Sequence, residues 1–113
     1  LVALDSEGNV LGRVDLKYLD RLVDRHVSEI SFGVLKGYTN VGVSLLQEIE
    51  KLSIQKKRVT EFVYYILKRN MYFQNIFLKA GFQNVGIIPN FYRLPDNSMD
   101  DRVIFYKNIK LPS

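Results

Sequence analysis

The chain has 113 residues, of which 47% are hydrophobic and 25% are charged, and its formal net charge at pH 7 is +4. This length predicts one domain with a single core, and the positive charge favours an anionic partner of unspecified kind. The chain contains no cysteine, which excludes disulfides and thiolate metal sites and fits a cytoplasmic location. No apolar run approaches the roughly 20 residues that span a bilayer, so no membrane association is expected.

The first third of the chain is expected to contain three strands. Two hydrophobic segments flank a stretch of turn residues, and they predict a β-hairpin with its turn near Glu7–Asn9. Residues 19–27 are interpreted either as a longer connection or as a frayed strand end. Alternating hydrophobic residues over Ser28–Leu35 then predict a third strand, with one face directed into the core.

A loop and an amphipathic helix are expected after the third strand. Hydrophobic residues at helical spacing predict a helix over Val43–Lys57, and the segment from Gly37 to Gly42 is expected to form a flexible loop before it. The next segment, Arg58–Leu67, is rich in β-branched and aromatic residues. That composition is typical of a buried strand.

The last third of the chain predicts a short helix and a closing hairpin. Asn70 is a suitable N-cap for a helix that ends near Ala80. Two strands are expected after it, over residues 82–94 and 102–109. The resulting order, β-β-β-α-β-α-β-β, favours an α+β fold with a mixed sheet and two helices.

The loop before the first helix has the composition of a phosphate-binding site. Gly37, Asn40 and Gly42 tolerate positive φ, so the loop can turn its main-chain N–H groups toward a phosphate at the mouth of the helix. Lys36 places a cation at the rim. The alternative is an ordinary strand–helix turn, for which two glycines and an asparagine also suffice.

Two motifs carry a resemblance to a known family. The segment GYTNVG, residues 37–42, stands in the frame of an acetyl-CoA loop of the form Gln/Arg-x-x-Gly-x-Gly/Ala, in which Gly42 is the strict match. The segment NMYFQNIFLKAGF, residues 70–82, is similar to the pattern Asn-x(6)-Tyr-x-x-x-Gly-Phe, with Phe77 in place of the tyrosine. Both patterns belong to the GNAT N-acetyltransferases, which the sequence resembles along nearly its whole length.

The resemblance implies one GNAT-like domain over residues 1–113, with a mostly antiparallel sheet. The family's first strand and first two helices have no counterpart in the sequence. Those elements usually help to build the pocket for the acetyl acceptor.

The resemblance also implies where acetyl-CoA, the acyl donor, would bind. In the family, the pantetheine arm lies between two parallel strands that splay apart, here Ser28–Leu35 and Arg58–Leu67, and the diphosphate binds main-chain amides beside the following helix. Asn70 would contact the pantetheine arm, with a role as a helix cap as the alternative. The residues expected to contact acetyl-CoA are Phe32, Val34, Lys36, Tyr38, Thr39, Asn40, Val41, Gly42, Val43, Asn70 and Phe77.

Catalytic roles follow from the same resemblance. Glu29 stands where the family often has its general base, and the alternative is a surface or paired carboxylate. Phe77 occupies the place of a tyrosine that often protonates the departing thiolate, and core packing is the alternative for it. Because phenylalanine has no proton to give, Tyr64 or Tyr65 on the second splayed strand is a candidate to reach the thioester.

The implied function is direct transfer of acetyl from acetyl-CoA to a primary amine on a small molecule or a peptide. The alternative is a catalytically weak or inactive module that binds acyl-CoA or regulates another protein. A nucleic-acid-binding domain is a third interpretation, but no motif accompanies the charge, so no nucleic-acid partner is expected. No residue pattern predicts a metal site. An uncovered apolar sheet face would favour a homodimer.

Overall fold

The computed structural model describes residues 1–109 and shows strands and helices in the predicted order. The strands are β1 (Val2–Leu4), β2 (Val10–Tyr18), β3 (Val27–Val34), β4 (Glu61–Leu67), β5 (Gln83–Arg93) and β6 (Met99–Asn108). The helices are α1 (Thr39–Lys56) and α2 (Met71–Lys79). Residues 110–113, which the expected domain includes, lie outside the described residues.

The strands form one sheet in the order β1-β2-β3-β4-β6-β5. The pairing of β3 with β4 is parallel, and the other four pairings are antiparallel. A parallel neighbour needs a crossover, which α1 provides between β3 and β4. The predicted α+β class with a mixed, mostly antiparallel sheet and two helices is confirmed.

The first hairpin closes where the turn residues predict it. The carboxylate of Asp5 accepts hydrogen bonds from the main-chain N–H groups of Glu7 and Asn9, each at 2.9 Å. Gly8 adopts a φ of 85°, which a residue with a side chain rarely does. Residues 19–26 form a longer connection, the first of the two interpretations, and β3 begins at Val27.

Several predicted element ends are wrong by a few residues. The fourth strand begins at Glu61, not at Arg58, because the chain first bends to let the Thr60 and Glu61 amides donate to the His26 carbonyl. The last strand begins at Met99, three residues before the prediction, because Met99 pairs with Arg93 across the hairpin.

Both helices pack on the same face of the sheet. Phe32 of β3 lies beneath them, against Gly42 of α1 and Phe77 of α2. Strand alternation sends every second side chain to this face, and on β4 these are Phe62, Tyr64 and Ile66, all buried. The resulting core comprises the buried residues Val14, Ile30, Leu45, Leu46, Ile49, Val59, Phe62, Tyr64, Ile66, Ile76, Phe77, Ala80, Phe82, Val103, Phe105 and Ile109.

A charged contact ties the two helices to the sheet at one end of the core. The Nζ of Lys107 on β6 lies 2.8 Å from the Glu50 carboxylate on α1 and 2.7 Å from the Ala80 carbonyl after α2. Within residues 1–109, no helix is both long enough and apolar enough to cross a bilayer.

Candidate functional site

The central strands separate part-way along the sheet. β3 pairs with β4 at three positions, from Val27 opposite Glu61 to Glu29 opposite Val63. Beyond Glu29, β3 stays paired with β2, while β4 stays paired with β6. A gap therefore opens between the second halves of two parallel strands in the middle of the sheet.

The edge of β3 that faces this gap carries unpaired main-chain groups. The Leu35 N–H donates to the Leu11 carbonyl of β2 at 2.9 Å. Because main-chain groups alternate sides along an antiparallel strand, those of Phe32 and Val34 point away from β2 and toward β4. Within the described part of the chain, the β3–β4 pairing ends at Glu29 and does not reach them. This edge is open to an extended ligand that forms strand-like hydrogen bonds.

The N-terminus of α1 leaves main-chain donors available to an anion. No side chain caps the helix at Tyr38, and no acidic residue lies in the first turn. The amides of the first three helical residues, Thr39 to Val41, have no helical carbonyl one turn earlier to receive them. They lie at the positive end of the helix dipole, which stabilises negative charge.

The expected flexible loop from Gly37 to Gly42 is wrong, because α1 begins four residues before Val43. Of the three residues expected to tolerate positive φ, Gly37 adopts it, at 91°, whereas Asn40 and Gly42 are helical. The Gly42 N–H donates to the Tyr38 carbonyl at 3.1 Å as part of the helix. Its amide is therefore engaged, and the absence of a side chain at Gly42 serves packing.

Four aromatic side chains, Phe32, Tyr64, Phe73 and Phe77, meet on the helix side of the gap. Phe32 packs edge-on against Phe73 and Phe77 with ring centroids 5.2 and 5.1 Å apart, and Tyr64 stacks on Phe77 at 3.9 Å. Phe77 is fully buried, so it packs in the core. Burial raises the pKa of Tyr64 above its ordinary value, and the nearby Tyr92 raises it further, so its hydroxyl keeps its proton at neutral pH.

Comparison with solved structures identifies the fold of this chain. No family model and no curated protein matches the sequence itself. A GNAT-family acetyltransferase from Streptococcus pneumoniae superposes with a TM-score of 0.82, at 20% identity over 90% of this chain and 62% of that one. A GNAT superfamily phosphinothricin acetyltransferase from Sinorhizobium meliloti, in complex with acetyl-CoA, gives 0.85 at 18% identity over 96% and 60%. The chain has the GNAT fold.

A third GNAT-fold structure extends the likeness. The ribosomal-protein-alanine N-acetyltransferase from Brucella melitensis superposes with a TM-score of 0.79, at 22% identity over 95% of this chain and 66% of that one. The chain spans about three fifths of the lengths of the Streptococcus and Sinorhizobium proteins, 62% and 60% respectively. At these identities the likeness establishes the fold, and it identifies neither the acyl donor nor the acceptor of this chain.

In this GNAT fold, Tyr72 of α2 holds the connection between β3 and α1. Its hydroxyl accepts a hydrogen bond from the Tyr38 N–H at 3.2 Å and donates one to the Leu35 carbonyl at 3.0 Å. The Tyr38 amide, an expected diphosphate donor, is therefore occupied in this structure. Sequence reasoning missed Tyr72, since nothing in the sequence links it to a loop more than thirty residues away.

Replacing Tyr72 with phenylalanine is expected to loosen this connection. Two hydrogen bonds are lost, both at exposed positions, so the free energy of unfolding should fall by about 1 kcal/mol. The Tyr38 amide then keeps only its 3.2 Å hydrogen bond to the Leu35 carbonyl, so its hydrogen exchange should become faster, which two-dimensional NMR measures directly. A Tyr106→Phe control removes a hydroxyl from the opposite face of the sheet and should leave that amide unchanged. Equal protection of Tyr38 in both variants would contradict the assigned role.

Two residues expected to contact acetyl-CoA, Asn70 and Lys36, lie just beyond the C-terminal ends of β4 and β3. The Asn70 Oδ1 accepts a hydrogen bond from the Phe73 N–H at 3.1 Å, so Asn70 caps α2 as predicted. The helix ends at Lys79, with Ala80 as its C-cap, and Gly81 follows with a φ of 91°. Lys36 is exposed at the rim. Contact of either side chain with acetyl-CoA stays a prediction.

Glu29 lies where the gap opens, on the face of the sheet opposite to the helices. Its Oε2 is 3.8 Å from the Nζ of Lys17, and its side chain is 30% exposed. The carboxylate therefore has a cationic neighbour but remains accessible, and both interpretations offered for it stay open. Among residues 1–109, no group of three or more His, Asp or Glu side chains could hold a metal ion.

Two grooves lie near these elements. One, of about 410 Å³, runs beside the first turns of α1 and is lined in part by Asn40, Val41 and Glu48. The other, of about 310 Å³, is lined by residues 10–13 of β2 together with Gly33, Val34, Leu35 and Phe73, so it lies over the paired strands β2 and β3.

Proposed function

We propose that this chain is the acetyl-CoA-binding part of an N-acetyltransferase, which moves acetyl from acetyl-CoA to a primary amine by direct attack. The observation that carries the proposal is the succession, within a few residues, of an open strand edge at Phe32 and Val34 and three unpaired helix amides at Thr39 to Val41. An acyl-CoA has matching parts in the same order, an amide-rich arm and a diphosphate.

The open edge suits the pantetheine arm. That arm contains two amide groups, which form strand-like hydrogen bonds with the main chain of Phe32 and Val34, and the thioester then lies near the point where β3 and β4 separate. The diphosphate binds the amides at the N-terminus of α1. The Sinorhizobium protein of the same fold was solved with acetyl-CoA, which supports this class of ligand.

The chemistry required of the protein is modest. The amine nitrogen attacks the thioester carbon, a base removes the extra proton, and the sulfur leaves with the bonding electron pair. Glu29, at the mouth of the gap, is the carboxylate placed to act as that base, directly or through water. The acceptor is a small molecule or a peptide with a primary amine. We also propose that the protein is cytoplasmic and that it can form a homodimer.

Replacing Thr39 with proline tests the diphosphate site. Proline is tolerated at the first helical position, where it removes one N–H that the helix itself does not use. Since a hydrogen bond to an anion contributes about 1.5–3 kcal/mol, acetyl-CoA should bind roughly 10- to 100-fold more weakly. Thr39→Ala is the matched control, because it removes the same side chain and keeps the N–H. Isothermal titration with acetyl-CoA measures both, and equal affinities would refute the site.

A second candidate, a module that binds acyl-CoA without turnover, is favoured by one observation. Phe77 is fully buried and carries no hydroxyl at the place where GNAT enzymes often have a proton donor. The two candidates differ in thiol release from acetyl-CoA. Stabilisation by acetyl-CoA together with release of coenzyme A across a panel of primary amines supports the enzyme, whereas stabilisation alone supports the binding module.

A further inference from the structure

The side chain of Tyr64 is buried beside the gap, and its hydroxyl makes no hydrogen bond to the described residues. The residue lies on β4 immediately after Val63, the last position paired with β3, and its ring meets that of Phe32 across the gap with centroids 6.4 Å apart. The residue as a whole is only 8% exposed. The ring is therefore held firmly between Phe32 and Phe77, at the point where the strands separate.

The Tyr64 hydroxyl has no hydrogen-bond partner within residues 1–109. Of the unpartnered polar side-chain atoms in that range, two are sealed from solvent, Asp24 Oδ1 and Ser53 Oγ. The Tyr64 oxygen is not one of them, so it keeps some contact with solvent. An ordered phenol with an unused donor, at the edge of an open main-chain site, is a group poised to bond to a ligand.

We propose that the Tyr64 hydroxyl donates a hydrogen bond to the thioester sulfur as it departs, an inference that rests on the proposed acetyl transfer. In the step, the C–N bond forms, the C–S bond breaks and its electron pair stays on sulfur. The proton from the amine goes to Glu29 or to water. The negative charge that develops on sulfur is stabilised by a donor already in place, and solvent protonates the thiolate after release.

Tyr64 acts here as a hydrogen-bond donor that keeps its proton. A thiolate is the weaker base of the pair, because an ordinary thiol has a pKa of about 8.5 and an ordinary phenol one of about 10. Burial shifts the pKa of Tyr64 further upward, which strengthens this order. The phenol therefore remains neutral and able to donate throughout the pH range of an assay.

Other hydroxyl groups near the gap are less suitable. The Tyr72 hydroxyl is engaged with Leu35 and Tyr38. Tyr65 follows Tyr64 on the strand, so its side chain points to the opposite face, where the guanidinium of Arg102 lies 4.2 Å from its ring centroid. Tyr64 alone among these three combines an open hydroxyl with a place on the helix side of the gap.

The test uses coenzyme A, which needs no knowledge of the acceptor. A donor beside the sulfur lowers the pKa of the bound thiol, which the ultraviolet absorbance of the thiolate reports during a pH titration of the full chain. In Tyr64→Phe this thiol pKa should rise toward that of free coenzyme A, with the affinity for coenzyme A unchanged. Where amines give turnover, kcat should fall roughly 10- to 100-fold at constant KM for acetyl-CoA.

Tyr106→Phe is the control, since it removes a tyrosine hydroxyl from β6, on the other face of the sheet, where that hydroxyl contacts the Glu61 carboxylate. It should leave both the thiol pKa and kcat at wild-type values. Bound coenzyme A with the same thiol pKa in wild type and Tyr64→Phe overturns this inference and leaves the proposed function standing. Failure of the wild-type chain to bind coenzyme A or acetyl-CoA overturns the proposed function, and this inference with it.

Discussion

Replacing Gly42 with valine is expected to lower the free energy of unfolding by roughly 3 kcal/mol. A Cβ at this position would lie 3.0 Å from the Cζ of Phe32 and 3.2 Å from the Cγ2 of Ile76. Two further methyl groups would have to enter the same space, where α1 crosses both β3 and α2. The helix can accommodate them only by moving away from the sheet, and this exposes part of the core.

The same displacement should weaken acetyl-CoA binding, because the amides of Thr39 to Val41 move with the helix. Urea denaturation followed by circular dichroism measures the stability, and titration with acetyl-CoA measures the binding. Gly33→Ala is the control, since a Cβ at Gly33 meets no atom within 4 Å. If Gly42→Val were as stable as Gly33→Ala, the close contact between α1, α2 and β3 would be incorrect.

Gly42 also explains the largest error in the prediction of the fold. Glycine in a helix interior costs about 1 kcal/mol relative to alanine, so a segment with Gly37, Asn40 and Gly42 favours a loop when only local preferences are considered. The structure extends α1 through this segment because the missing side chain permits close contact with Phe32 and Ile76. A tertiary contact of this kind has no local signature in the sequence.

Other parts of the fold depend on local physics and were predictable. The order of strands and helices follows from hydrophobic periodicity, and the ends of α2 follow from Asn70 as its cap and from the glycine after Ala80. The exact ends of β4 and β6 depend on partners elsewhere in the chain, His26 and Arg93, which local patterns do not identify.

The candidate site was predictable to the extent that it consists of main-chain groups. The resemblance to the GNAT family, and not the order of strands and helices, is what implied an open edge at Phe32 and Val34 near the start of α1. The sequence did not predict which main-chain amides are already hydrogen-bonded, because this depends on where α1 begins and on the contact with Tyr72. Tyr64 was a candidate on position alone, and the structure adds its open hydroxyl and its contact with Phe77.

Replacing Glu29 with glutamine is expected to lower kcat by roughly 10²- to 10⁴-fold, the usual contribution of a positioned general base. The substitution keeps the size of the side chain and removes its ability to accept the proton from the attacking amine. The affinity for acetyl-CoA should not change, because Glu29 lies on the sheet face opposite to the helices, away from the amides proposed to bind the diphosphate. Steady-state kinetics with the best amine of a panel gives kcat, and titration gives the affinity.

The pH dependence separates a base from a merely structural carboxylate. Without Glu29, the reaction depends on amine that is already neutral, so the residual rate of the variant should keep rising with pH toward the pKa of the amine, about 10.4 for a lysine-like acceptor. Glu7→Gln is the matched control, because it removes the same charge from an exposed position in the turn between β1 and β2. A variant with wild-type kcat and an unchanged pH profile would exclude Glu29 as the base and leave its contact with Lys17 as a structural ion pair. Because Glu29 lies at the mouth of the gap, we expect Glu29→Gln to lower kcat and to make its pH dependence steeper. The affinity for acetyl-CoA should stay constant.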